Sequence, residues 1–136
     1  MHDAMARKTQ ADLIIERTAQ QVQMLLEEAA LSLRPFPPFP GAFFTYGVEV
    51  NLDGTARPDL GCIVVGADGK LYELEVAIDF GEDAGGVADL VQARDETMKK
   101  LDDLHPKDHA ILAYNALVQI TELLLEQAAA ARESSN

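Results

Sequence analysis

Glu73 and Glu75 stand two apart in a run that alternates apolar and polar residues, so a strand would carry both carboxylates on one face. Paired carboxylates act as acid and base in glycoside hydrolysis. That chemistry also needs a cleft that raises one of the two pKa values, and nothing near them in the sequence builds one. His105 and His109 are four apart with Asp108 next to the second. Histidines at i and i+4 of a helix can share a metal, with a carboxylate as third ligand. Here His105 precedes Pro106, which puts it outside the helix and spoils the common face. Asp108 suits the first turn of that helix on electrostatic grounds alone. Cys62 lies in an apolar run with no basic neighbour to lower its pKa, the setting of an inert thiol. The segment from Gly81 to Gly86 lacks the Gly-Lys-Ser/Thr ending of a phosphate loop, and Glu82 and Asp83 would repel a phosphate. Arg34-Pro-Phe-Pro-Pro-Phe-Pro40 has the spacing of an SH3 ligand, although Phe36 and Phe39 suit a connector pinned to a core. No catalytic residue, metal ligand set or cofactor is expected from these constellations.

The elements that must position these residues follow from periodicity. Thr9 and Asp12 resemble a capping box, and Ile15, Val22, Leu25, Leu26, Ala29 and Leu33 follow at helical spacing, predicting a helix over 10–33. Residues 1–8 are expected to fray, and 34–42 form a proline-rich connector. Phe44, Tyr46, Val48, Val50 and Leu52 then alternate with small and polar residues, which predicts a strand. Leu60–Val65 is a short apolar run, and Tyr72, Leu74, Val76, Ile78 and Phe80 form a second alternating stretch beyond Asp68-Gly69. Asp-Gly between two such runs signals a hairpin. Val87, Leu90, Val91, Met98 and Leu101 trace a narrow stripe, read as a helix over 86–104. A last helix over 106–131 is apolar around most of its circumference, with a thin polar stripe of Asn115, Gln119, Glu122 and Glu126. Its tail, 132–136, is expected to fray. The expected fold is a single α+β domain over 1–136: a three-stranded antiparallel meander with three helices, in the order α-β-β-β-α-α, packed mainly on one sheet face.

Composition narrows the function classes. Eleven Lys and Arg stand against 23 Asp and Glu in 136 residues, a formal net charge of −12. This speaks against a nucleic-acid binder, whose affinity comes largely from neutralising phosphates, and against a polybasic membrane anchor. One cysteine excludes an internal disulfide. Met1–Gln10 has no apolar stretch of signal-peptide type, and the uncharged run Ala110–Thr121 is too short to span a bilayer. A cytoplasmic protein is the expectation.

Charge is concentrated in the middle of the chain, where residues 41–84 hold 2 basic and 9 acidic side chains. With helices over the Tyr72/Leu74/Val76 face, Glu49, Glu73, Glu75 and Asp79 would share the other face. Between them the central strand would show an apolar strip, either Cys62 and Val64 or Ile63 and Val65. Such a surface suits a basic, amphipathic protein partner. The expected function is a non-enzymatic interaction module: an adaptor, chaperone-like or inhibitor-like acidic protein. The alternative is a small-molecule-binding protein or small enzyme, with a pocket between helices and sheet near Tyr46, Tyr72 and residues 53–59. Three strands cannot cover three long helices. The surplus apolar surface of the last helix, at Tyr114, Leu117 and Leu124, therefore suggests a homodimer.

Overall fold

Ala19, Val22, Leu26, Ala29 and Leu33 recur every three or four residues, and this seam packs the first helix against the rest of the chain. The computed structural model describes residues 2–39, 46–55, 60–78 and 94–134. The first helix, α1 (His2–Ser32), starts well ahead of the predicted residue 10. Four strands follow: β1 (Val48–Glu49), β2 (Cys62–Val65), β3 (Leu71–Ile78) and β4 (Arg94–Lys100). A second helix, α2 (Pro106–Ser134), completes the described chain. Every strand pairing is antiparallel and the spatial order is β1-β2-β3-β4, an α+β meander.

Among the described residues, the expected three strands and three helices are replaced by four strands and two helices. Residues 94–100, read as part of a helix over 86–104, instead add a strand along β3 with a seven-residue register from Tyr72↔Lys100 to Ile78↔Arg94. The helical stripe was narrow. The free edge of an eight-residue strand leaves a row of backbone groups without partners, and this outweighs weak helical patterning. Val87, Leu90 and Val91 lie outside the described residues. The first predicted strand shrinks to Val48–Glu49 plus a bridge between Pro38 and Tyr46. Phe44 and Phe80 are outside the described residues.

Residues directly opposite in a ladder share a face. Val48, Val65 and Leu71 thus fall on one side with Ile63 and Glu73; Glu49, Val64 and Tyr72 fall on the other with Cys62 and Leu74. The core unites Leu26 and Leu33 of α1, Val50, Ile63, Val65 and Leu71 of the sheet region, and Leu112, Ala113, Ala116 and Ile120 of α2. Both helices accordingly cover the Ile63/Val65/Leu71 face. This reverses the predicted orientation, in which Tyr72 and Leu74 looked toward the helices. Glu73 and Glu75 take that direction instead, and Lys99 stands directly across from Glu73.

Three side-chain amides of α2 bond the backbone of the β1 edge and of the proline segment. Gln119 of α2 donates from Nε2 to the Glu49 carbonyl at 2.7 Å and accepts from the Asn51 amide at 2.9 Å. Asn115, one turn earlier, donates to the carbonyls of Asn51 (2.8 Å) and Asp53 (3.0 Å). Gln127 accepts from the Arg34 amide at 3.1 Å and donates to the Pro35 carbonyl at 3.0 Å. Asn115 and Gln119, two of the four members of the thin polar stripe, are thus clamps. The proline segment is held by the Gln127 pair, by Gly47 N–H donating to the Pro37 carbonyl, and by Phe36 against the core. Glu122 and Glu126 remain exposed.

Two stability predictions follow from this packing. Ile120 is fully buried, and Ile120→Ala should cost about 2–5 kcal/mol in urea unfolding. Gln119→Glu keeps the acceptor for Asn51 but turns a carboxylate oxygen on the Glu49 carbonyl. It should cost about 1–3 kcal/mol, and an unchanged urea midpoint would show that α2 does not hold this edge.

Candidate functional site

The β2–β3 turn, α1 and the start of α2 meet at one joint. Gly69 in the turn has φ +79, and a Cβ there would lie 2.4 Å from the Glu27 Cα of α1. Glycine alone satisfies both the backbone angle and the approach. The turn is closed by Gly69 N–H to the Gly66 carbonyl at 2.9 Å and by Asp68, whose Oδ1 accepts from the Lys70 amide at 2.9 Å. Tyr72 donates its hydroxyl to Asp68 Oδ2 at 2.5 Å. That bond to a carboxylate, with burial second, pushes the phenol pKa up to about 12.

Gln23 of α1 reaches over to donate Nε2–H to the Gly69 carbonyl at 2.8 Å. A carbonyl only accepts, so this contact fixes the orientation of the amide and leaves Gln23 Oε1 facing His109 Nε2 at 3.0 Å. Oε1 only accepts in turn, so His109 carries its hydrogen on Nε2. Burial lowers the His109 pKa below its ordinary value. Gln23 and His109, with Glu27, Lys70, Leu71, Lys100 and Leu101, line a cleft of about 170 Å³. It lies away from the predicted pocket: Tyr46 is exposed, Tyr72 is tied to Asp68, and residues 56–59 are outside the described chain.

The two histidines spaced four apart look in different directions. His105 caps α2, its Nδ1 accepting from the Lys107 amide at 3.1 Å, while His109 turns to Gln23. Asp108 is buried in the first turn. Among the described residues, no three His, Cys, Asp or Glu side chains group as metal ligands.

The predicted partner-binding residues do not form one surface. Glu49, Cys62 and Val64 share a face, Glu73 and Glu75 lie on the opposite one, and Asp79 is outside the described residues. Val64 is fully buried, so it offers no strip to a partner. Burial raises the Cys62 pKa, with the Glu49 charge as the second cause, which disfavours the thiolate. Of the predicted dimer residues, Leu117 and Leu124 are used by the chain's own core, and Tyr114 alone is exposed.

Exposed apolar surface extends from Tyr114 along α2 and appears again on α1. On α2, Tyr114 (59%), Val118 (40%) and Leu125 (64%) fall on one outward stripe. On α1, Leu13, Met24 and Leu31 form another, and every residue from 3 to 18 is exposed. Sequence patterning missed this because α1 keeps its amphipathic spacing through residues 3–18, which are exposed. No protein-family model, curated protein or solved structure matches this chain. Among the described residues, no helix is long and apolar enough to cross a membrane.

The joint generates a pH prediction. A histidine whose pKa is lowered by folding binds fewer protons in the folded state, so stability falls as pH drops through the unfolded value near 6.5 and levels off below the folded one. His109→Gln should flatten that part of the curve. Urea midpoints of the two proteins between about pH 7.5 and pH 5.5 test it; parallel curves would rule out the joint as the titrating element.

Proposed function

We propose that this chain is a non-enzymatic protein–protein interaction module, of adaptor, chaperone-like or inhibitor-like kind, that takes a basic amphipathic segment of a partner on the outer faces of its helices. The observation that carries this reading is the outward stripe of Tyr114, Val118 and Leu125, with Glu122 and Glu126 exposed along its side. Scattered exposed apolar residues are ordinary, but a stripe at helical spacing offers a row of seats to an apolar face. Its acidic flank, in a chain of net charge −12, favours lysine and arginine beside that face and speeds their encounter. The working surface is thus the helix layer rather than the sheet face. The same reading includes self-association as a homodimer, supported by the uncovered first half of α1. A reducing, cytoplasmic setting suits the free thiol of Cys62.

A direct test uses two synthetic helical peptides with the same leucine face, one flanked by Lys and Arg, the other by Glu. Fluorescence anisotropy should show binding of the basic peptide only, weakening between about 50 and 500 mM salt. The combined variant Tyr114→Ser, Val118→Ser and Leu125→Ser should bind it at least about tenfold more weakly. Equal binding of both peptides, or full affinity in the variant, would overturn the reading.

A further inference from the structure

We infer that residues 5–15 of α1 pair antiparallel with the same residues of a second copy of this chain, about a two-fold axis beside Gln10. This rests on reading the chain as a self-associating module, and it names the segment and geometry involved. Residues 3–18 are exposed without a break, while Ala19 is buried, so about half of α1 projects from the body of the protein. A helical segment of that length is marginal in water unless a partner covers one side.

The sequence of the projecting half specifies what that partner is. The buried seam of Ala19, Val22, Leu26, Ala29 and Leu33 continues outward, at the same alternation of three and four residues, as Ile15, Asp12, Lys8 and Met5. Sustained over both halves, this is the spacing of a coiled-coil seam. Read along the projecting half, the seam runs apolar, positive, negative, apolar. An antiparallel copy reads apolar, negative, positive, apolar. Met5 then meets the partner's Ile15, and Lys8 meets the partner's Asp12, twice over by symmetry. A parallel pairing would instead set Lys8 against Lys8 and Asp12 against Asp12. Within one chain, Lys8 Nζ already lies 2.8 Å from Asp12 Oδ2, with both side chains well exposed, so the pairing assembles two such ion pairs into a four-charge cluster. Ala4 and Ala11 border the seam and let the two helices approach closely.

Charge also favours this segment over the rest of the surface. Two bodies of net charge −12 repel. Residues 1–20 hold three basic side chains (Arg7, Lys8, Arg17) and three acidic ones (Asp3, Asp12, Glu16). Contact through this balanced stretch keeps the two acidic bodies apart.

Light scattering on the full chain at tens of micromolar tests the pairing. One chain weighs 14.8 kDa. The wild type should give about twice that mass. Lys8→Asp and Asp12→Lys, each alone, should give the single-chain mass, because each sets like charges against like. An equimolar mixture of the two variants should recover the doubled mass, since the all-acidic and all-basic seams complement each other. Recovery cannot arise from a folding defect. If the single variants remain dimeric, or the mixture stays monomeric, this interface is overturned while self-association through another face stands. A wild type of single-chain mass would remove both, leaving the peptide-binding reading to its own test.

Discussion

The outer edge of β1 carries backbone groups that no neighbouring strand supplies with partners, and much of the molecule is arranged to supply them. Val50 bonds inward, its amide donating to the Ile63 carbonyl at 2.8 Å, so the alternate residues Gly47, Glu49 and Asn51 present their amides and carbonyls outward. Pro37 meets the first of these, Gln119 the second and third, and Asn115 the carbonyls beyond. One glutamine side chain, donating and accepting at once, does for Glu49 and Asn51 what a peptide unit of a fifth strand would do. Because Asn115 and Gln119 are one turn apart, they fix both the height and the rotation of α2. That rotation aims Leu112, Ala116 and Ile120 into the core and Tyr114 and Val118 away from it.

The joint at Gly69 completes the arrangement at the other side of the sheet. Gln23 holds a turn carbonyl with one end and a histidine of the other helix with the other, so α1, α2 and the β2–β3 turn share one polar contact. Together with Gln127 at the proline segment, three glutamines tie the helix pair to loops at three places. Contacts near Gln23 and His109 at one level, and near Arg34 and Gln127 at another, also mean that the two helices run in the same direction.

Much of this was legible from residue patterns. The first and last helices, the hairpin at Gly69 and the antiparallel α+β class all follow from periods and turn residues. The register that decides which face of β3 meets the helices did not, because β3 is apolar at Leu71, Leu74 and Val76 and so lacks strict alternation. Tyr72 and Leu74 match the alternation, yet Leu71 is the residue that packs under the helices. The fourth strand was hidden because its seven residues are mostly charged, which is what a protected sheet edge requires and what a helix surface also shows. In α2, glutamine and asparagine were grouped with glutamate as solvent-facing. The distinction lies in chemistry: a carboxamide can both donate and accept to backbone, whereas a carboxylate only accepts. Uncharged amides one turn apart within an otherwise apolar helix are the signal that was available.

The packing of the first helix against the last has a consequence for biosynthesis. Leu26 and its neighbours bury themselves chiefly against side chains such as Leu112 and Ile120, more than eighty residues further along the chain. At elongation rates of about 5–20 residues per second, the seam of α1 leaves the ribosome roughly 4–20 s before its counterpart is made. During that interval the nascent chain presents an amphipathic helix with no intramolecular mate. Packing of α1 is therefore deferred until α2 has been made, and any factor that shields apolar helices has its opportunity in that window.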